Sequence, residues 1–306
     1  MWPYAERAIW PFPGARRYSC GDAHKGRGLA KNDLTIRFWG VRGSIPCPGP
    51  ETIRYGGNTS CVEIRCGRHL MIFDGGSGLR ALGNALVAGG RPVDCDLFYS
   101  HTHLDHIVGL PFFAPGYSAG NRIRFWAGHL KPAGSDIKTV LEKMMSAPLF
   151  PVPIDILEAR LAFRDFTAGE TLTPHAGVKL VTAPLNHPDG ATGYRIEFAG
   201  KVVAYITDTE HRAGQSDPEV LKLMRHADVA IYDSTYTDEE YPRHRHWGHS
   251  TWEEGVRLAK EAHVKQFVIF HHDPSHTDAM MDQIAADAAK VKPGTIVAHE
   301  GLLLQP

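Results

Sequence analysis

Four potential metal ligands lie within one short segment, HTHLDH over residues 101–106. The segment follows a strand-like apolar run and precedes a helix-like one. Side chains alternate along an extended chain, so His101 and His103 point the same way and can share one metal. Asp105 and His106, on the following turn, can reach a second metal. A surface histidine cluster is the weaker interpretation, because polar side chains directly after a buried strand need partners.

Further ligands must come from distant parts of the chain, and three candidates stand at the ends of strand-like runs. His187 follows VTAPLN, Asp208 ends VVAYITD and His271 follows QFVIF. Strand ends at one edge of a sheet bring distant side chains together. Taken singly, His187 could also cap the turn after it, and Asp208 could cap the next segment. His272 follows His271, and the sequence does not show which of the two coordinates.

We expect two metal sites of three ligands each, with one carboxylate shared between them. The expected ligands are His101, His103 and His187 for the first metal, Asp105, His106 and His271 for the second, and Asp208 as the bridge. Such a set leaves an open position for water, as a catalytic site requires. Imidazole and carboxylate ligands favour two divalent ions, zinc first, with Mn²⁺ or Fe²⁺ as alternatives.

A second polar group joins the end of a later strand to the start of a helix. Asp233 ends the run AIYD, and GHST over 248–251 precedes a helical pattern. Ser250 and Glu253 have the spacing of a capping box, which places His249 just before a helix N-terminus. Free backbone N–H groups there favour a phosphate, and Asp233 could keep His249 protonated as a general acid. The alternative is structural: His249 stacks at the helix entry and Asp233 caps a turn.

Short strands and helices must position these residues. Strand-like runs span 34–40, 60–66, 69–74, 95–100, 122–128, 161–166, 178–185, 191–199, 201–208, 228–233, 266–271 and 295–299. Helices are predicted near 78–87 and over 135–145, 217–225, 250–263 and 276–290. Strands dominate the first two thirds and alternate with helices afterwards. This order predicts an α+β fold in which sheets lie between helices.

The order of the candidate ligands resembles the metallo-β-lactamase superfamily. HTHLDH is preceded by Asp74 in MIFDGGSG and followed by His187, Asp208 and His271. The resemblance runs from about Leu34 to the C-terminus. It implies an αββα four-layer sandwich, two mixed β-sheets flanked by helices, with a dinuclear metal site at one edge.

The same resemblance assigns a role to Asp74 and divides the chain. It implies that Asp74 orients the metal-binding loop from behind the ligands. The alternative for Asp74 is a plain turn residue before two glycines. We expect residues 34–306 to form the catalytic domain and residues 1–33 to form an N-terminal arm or extension.

Asp233 together with GHST is similar to the tRNase Z-like phosphodiesterases, where the matching histidine contacts the scissile phosphate or protonates the leaving oxygen. The chain lacks the Pro-x-Lys-x-Arg-Asn loop and the long basic arm of tRNase Z itself. Its GSIP and YGGNTS segments resemble bacterial enzymes near the phosphoribosyl cyclic phosphodiesterase branch. The resemblance predicts hydrolysis of a small or cyclic phosphodiester by a hydroxide held between two metals. The expected catalytic residues are His249, Asp233 and Asp105.

Composition limits the classes of partner. The 306 residues contain 33 Lys and Arg against 34 Asp and Glu, a formal net charge of −1. That balance argues against a grip on long nucleic acid, so the expected partner is a small anionic phosphodiester. No stretch approaches the ~20 apolar residues of a membrane span, and the five cysteines have no disulfide-like spacing. We therefore expect a cytoplasmic protein without a membrane partner, and the resemblance admits a homodimer.

Two other functions fit the same ligands. One is hydrolysis of an ester, lactone or thioester at the same metal pair. The other is a non-catalytic sensor of a nucleotide or a metal. The complete ligand set and the pairing of Asp233 with His249 argue against the sensor, because a retired site has no reason to keep an open coordination position.

Overall fold

Two seven-stranded sheets lie face to face in the computed structural model, which describes residues 33–306. The strands of the first sheet are β1 (Leu34–Gly40), β2 (Cys61–Cys66), β3 (His69–Phe73), β4 (Asp94–Tyr99), β5 (Arg122–Ala127), β6 (Arg160–Asp165) and β14 (Leu303–Leu304). They lie in the order β14-β1-β2-β3-β4-β5-β6. Pairing is antiparallel from β14 to β3 and parallel from β3 to β6. The sheet is therefore mixed.

The second sheet is also mixed. Its strands are β7 (Thr171–His175), β8 (Val178–Leu185), β9 (Ala191–Phe198), β10 (Lys201–Ile206), β11 (Val229–Asp233), β12 (Gln266–Phe270) and β13 (Ile296–Val297). They lie in the order β13-β12-β11-β10-β9-β8-β7. Pairing is antiparallel from β7 to β10 and parallel from β10 to β13. The parallel half is the part in which strands alternate with helices along the chain.

Helices cover the outer face of each sheet. α1 (Gly78–Ala88) and α3 (Ile137–Met144) pack on the first sheet. The second sheet carries α4 (Pro218–Met224), α5 (Trp252–Glu261) and α6 (Asp278–Val291). The single turn α2 (Leu104–Ile107) lies within the histidine-rich segment. Within residues 33–306, every helix is too short or too polar to cross a bilayer.

The apolar residues form three layers of core. Inward-facing side chains of both sheets, such as Phe38, Phe73, Tyr205 and Phe270, are fully buried and fill the space between the sheets. Strand β8 alternates buried Val178 and Leu180 with more exposed neighbours, as a strand with one buried face should. The predicted αββα sandwich of two mixed sheets with flanking helices is confirmed.

The structure differs from the prediction at a few elements. Every predicted strand and helix overlaps an observed one, but β7 and β14 were not predicted. Helix α5 begins at Trp252, and its N-cap is Thr251, whose side chain accepts from the Glu254 N–H. The expected capping box at Ser250 is therefore wrong by one residue. The predicted arm over 1–33 lies, apart from Asp33, outside the described residues, and the division into arm and catalytic domain stays a prediction.

Candidate metal centre

The first expected ligand set lies together at one end of the two sheets. Ligand atoms of His101, His103 and His187 are all within 4.8 Å of one another. His187 Nδ1–H donates to the Gly248 carbonyl at 2.8 Å, which turns its Nε2 toward His103 at 3.1 Å. His103 is the most exposed of the three, with 44% of its side chain accessible. The set thus has two enclosed imidazoles and one at the mouth of the site.

The second set is more deeply buried. Asp105, His106, Asp208 and His271 place one ligand atom each within 4.8 Å of the others, and all four residues are buried. His106 Nε2 lies 3.1 Å from Asp105 Oδ2, and His271 Nε2 lies 3.3 Å from the same oxygen. The Ser44 N–H donates to Asp105 at 2.8 Å and fixes that carboxylate. The structure therefore brings together all the side chains that the sequence grouped here.

Asp208 lies between the two sets and presents one oxygen to each. Its Oδ1 is 3.7 Å from His101 Nε2, and its Oδ2 is 3.3 Å from His106 Nε2. Burial raises the pKa of Asp208, but His271, His106 and His101 outweigh burial and hold the pKa well below its usual range. Asp208 is therefore ionised in the position that the bridging assignment requires.

Asp74 orients the histidine-rich segment from behind. His106 Nδ1–H donates to Asp74 Oδ2 at 2.9 Å, leaving Nε2 for the site. The same buried carboxylate accepts from the Ser100 N–H, the Ser100 hydroxyl and the Tyr205 hydroxyl. A carboxylate hydrogen-bonded to a histidine in this way fixes its tautomer and ring orientation. Sequence reasoning missed Ser100, which directly follows β4, and Tyr205 in β10, because neither residue type marks such a contact.

The choice between the two adjacent histidines follows from their contacts. His271 Nε2 faces Asp105 and His106, and its Nδ1 lies 3.0 Å from Thr235 Oγ1. His272 Nε2–H instead donates to the Ala298 carbonyl at 2.8 Å, away from both sets. Burial lowers the pKa of His272 to about 3. His272 is therefore a neutral core residue, and His271 is the member of the pair that belongs to the ligand set.

The donor set fits divalent metal ions. Nε2 of His101 is buried and has no hydrogen-bond partner among the described residues. Burial and nearby His106 lower the pKa of His101 well below its usual range, so its ring is neutral. Buried polar atoms are almost always paired, and a neutral imidazole nitrogen facing ionised carboxylates is a natural metal ligand.

His249 and Asp233 lie directly beside the ligand sets. His249 Nδ1–H donates to Asp233 Oδ2 at 3.1 Å and lies 3.8 Å from Asp208 Oδ1. Asp233 also accepts from the Thr209 and Thr235 N–H groups. Burial alone would lower the pKa of His249, but the carboxylates of Asp233 and its neighbours raise it to about 9. The Asp233 carboxylate therefore favours the protonated form of the imidazole and leaves Nε2 facing away from that carboxylate.

Local backbone geometry sets several of these positions. Asp74, Asp208 and His271 each follow a strand with positive φ, at 61°, 58° and 63°. Such conformations are uncommon outside glycine and persist where the surroundings fix them, as at functional sites. Gly43 lies against the ring of His271, and Gly248 lies against the ring of His187. The glycines of VRGSIP and GHST thus give the ligands room, a role that sequence reasoning missed.

Residues 71–272 match the model of the beta-lactamase superfamily domain. The chain belongs to this superfamily. Together with the two ligand sets, this membership identifies it as a metal-dependent hydrolase.

Two relatives and two solved structures are similar to two thirds or more of this chain. Ribonuclease Z of Methanosarcina acetivorans is 28% identical over 313 residues, covering 89% of this chain and 98% of that protein. Ribonuclease Z of Lactobacillus gasseri is 27% identical over 251 residues, covering 67% of this chain and 78% of that protein. A diphosphatase from the PhnP family has a TM-score of 0.63 at 19% identity and covers 89% of this chain and 97% of that one. The short form of human tRNase Z has a TM-score of 0.62 at 17% identity and covers 88% of this chain and 98% of that one.

The comparisons correct one expectation. A relative that matches 89% of this chain is a ribonuclease, so the prediction that excluded long nucleic acid as a partner is wrong. The physical reason is that a formal net charge of −1 sums the whole chain. Binding of a nucleic acid depends on where the basic residues lie, and a local patch is enough.

Proposed function

We propose that this protein is a metal-dependent phosphodiesterase. The observation that carries the proposal is the buried Asp233–His249 pair next to both ligand sets. His249 lies 3.8 Å from Asp208, and its ring centroid is 5.1 Å from that of His271. A protonated imidazole at this position suits a reaction in which an oxygen leaves from phosphorus, because that oxygen needs a proton. The names of the Ribonuclease Z relatives support the same bond type.

The proposed ligands are the two sets described above, with zinc as the expected metal. His101, His103 and His187 would hold one ion, Asp105, His106 and His271 would hold the other, and Asp208 would touch both. Ions held there would supply Lewis acidity toward the phosphate and the attacking water. Asp105 is kept ionised, because His106 and His271 outweigh the effect of burial and lower its pKa.

The chain's own residues then position the substrate and move a proton. Asp233 holds His249 by Nδ1, so the Nε2–H points away from the carboxylate and can donate to the leaving oxygen. Asp74 keeps His106 oriented, and Thr235 does the same for His271. These contacts fix the proton donor and the ligands relative to one another before substrate arrives.

Two observations bear on the size of the diester. The GSIP and YGGNTS segments favour a small or cyclic diester, whereas the relatives are ribonucleases. A small or cyclic diester and an RNA both contain the phosphodiester bond that the proposed reaction cleaves. We therefore propose the bond type and let substrates of both sizes test it.

A substrate comparison tests the proposed function. Metal-loaded protein is assayed on bis(p-nitrophenyl) phosphate, a 2′,3′-cyclic nucleotide and an RNA hairpin with a 3′ extension, beside a p-nitrophenyl ester and a lactone. Cleavage of a phosphodiester well above the ester and lactone rates is expected. Ester or lactone cleavage without any phosphodiester cleavage would overturn the proposal and move the protein to another branch of the superfamily.

A further inference from the structure

A second concave site lies on the first sheet, at the ends of the strands opposite to those that carry the metal ligands. Strands β3, β4 and β5 run in parallel toward the metal-ligand edge, and the new site is where they begin. A strand of six residues spans about 20 Å, so Arg68 and Arg122, at the starts of these strands, lie roughly that far from the strand ends that carry the metal ligands. The cleft has a volume of about 660 Å³. We call it the arginine cleft, lined by Arg68, Arg122, Arg124, Arg164, His69 and His175.

The floor of the arginine cleft is a built polar network. Asp96 is fully buried, and it accepts from Arg124 Nε at 2.7 Å, Trp126 Nε1 at 2.9 Å and His175 at 2.6 Å. The ring of His175 stacks on His69 at a centroid distance of 4.0 Å. The network joins the first sheet to β7 of the second and fixes the positions of the cleft walls. The Arg124 guanidinium balances the charge of the Asp96 carboxylate.

The mouth of the cleft has an excess of positive charge. Arg68 and Arg164 are exposed and form no ion pair with a carboxylate among residues 33–306. Arg164 lies over the ring of Trp126 at 5.1 Å, which holds its guanidinium at the rim. Among the described residues that line the cleft, Asp94 is the one carboxylate, and it lies 2.6 Å from Arg124 and 3.7 Å from Arg122. Asp94 and Asp96 therefore offset Arg122 and Arg124, and Arg68 and Arg164 supply the excess positive charge at the mouth.

We propose that the arginine cleft binds phosphoryl groups of a nucleotide or of an RNA strand. A guanidinium presents a planar fork of donors that matches phosphate geometry, and arginine is favoured wherever such recognition occurs. The stacked, half-buried histidine rings give the cleft a planar edge beside these donors. The site is independent of the metal ligands, and its binding does not require the proposed catalytic function.

Charge reversal at the rim tests the proposal. Arg68→Glu/Arg164→Glu is compared with Arg80→Glu/Lys260→Glu, which makes the same change in net charge at exposed positions on α1 and α5. Binding of ADP is measured by calorimetry and binding of a labelled 12-nucleotide RNA by anisotropy, on metal-loaded full-length protein. RNA integrity is checked on a gel after each titration. Zinc content and thermal midpoint are measured to check that both double variants are folded. If Arg68→Glu/Arg164→Glu is not folded, Arg68→Ala replaces it.

The cleft variant should bind at least one probe about tenfold more weakly, with the control within about twofold. For RNA, loss of two phosphate contacts should also reduce the slope of log affinity against log salt by about 1.4. Loss of ADP binding alone identifies a nucleotide site, and loss of RNA binding identifies a strand-binding site. Equal effects of the two variants, no effect of either, or no binding by the wild type at about 1 mM protein would overturn the proposal.

Discussion

Gly43 determines where the ring of His271 can lie. A Cβ placed on Gly43 would come within 2.5 Å of Cε1 and 2.6 Å of Nδ1 of that ring. Gly43→Ala should therefore displace the proposed ligand and weaken zinc binding by about 10-fold or more, as loss of a ligand-orienting contact does. Competition with a fluorescent chelator measures the change. Gly49→Ala is the matched control, because nothing lies within 4 Å of Gly49 in the same loop; wild-type zinc affinity in Gly43→Ala would contradict this role.

Glu253 makes a pH-dependent contribution to stability. Burial and the nearby Asp238 and Glu240 raise its pKa to about 7. The folded state therefore keeps a proton that the unfolded chain loses near pH 4.5, so the wild type loses stability as pH rises between these values. Glu253→Gln lacks this loss, and its advantage in urea unfolding should be larger at pH 8 than at pH 4. Glu239→Gln, at an exposed neighbour, controls for removal of a carboxylate; a pH-independent difference for Glu253→Gln would refute the prediction.

At the scale of elements, helix α5 depends on the cap that stands two residues after His249. Thr251 accepts from the Glu254 N–H at 3.1 Å, and its hydroxyl donates to Asp238 at 2.7 Å. Thr251→Ala should lower the free energy of unfolding by ~1 kcal/mol, whereas Thr251→Ser should retain most of it. Urea denaturation of the three proteins measures both values. Equal loss in the Ala and Ser variants would show that the hydroxyl is not what stabilises the helix.

Sequence reasoning located most elements because their apolar runs are long and regular. It missed β7 because TLTPH is half-exposed, contains a proline and pairs at the sheet edge. It placed the cap at Ser250 because the local spacing favours that residue. In the fold, Ser250 accepts from the Tyr232 hydroxyl and lies 2.8 Å from His211 Nδ1, so its side chain is not available to the helix.

At the scale of the whole molecule, the ligand sets join the two sheets. His101 to His106 follow β4 of the first sheet, whereas Asp208 and His271 follow β10 and β12 of the second. Ions bound there would hold the sheets together at one edge. Removing zinc with a chelator should lower the thermal midpoint by roughly 5–10 °C, from ~2.7 kcal/mol of linkage per site at 100-fold saturation. Scanning calorimetry before and after chelation, with zinc restored as the control, measures it; an unchanged midpoint would contradict the expectation.

The site is assembled from residues far apart in the chain, and this explains what the sequence could and could not predict about it. The candidate ligands are recognisable because four residues of metal-binding type lie within positions 101–106 and three more follow later strand-like runs. The residues that orient them are not: Ser100 and Tyr205 are 105 positions apart and meet only at Asp74. Net charge failed as a guide to nucleic acid, since it carries no information about where the arginines lie.

The most direct test of His249 as the proton donor combines hydrolysis rate and metal content on the same samples. Hydrolysis of bis(p-nitrophenyl) phosphate and zinc per chain are measured for the wild type, His249→Ala and His263→Asn, an exposed histidine beyond α5. We expect unchanged zinc in all three proteins and a rate about 10²–10⁴-fold lower in His249→Ala alone. Full activity of His249→Ala at full zinc occupancy would contradict the role of His249 as the proton donor.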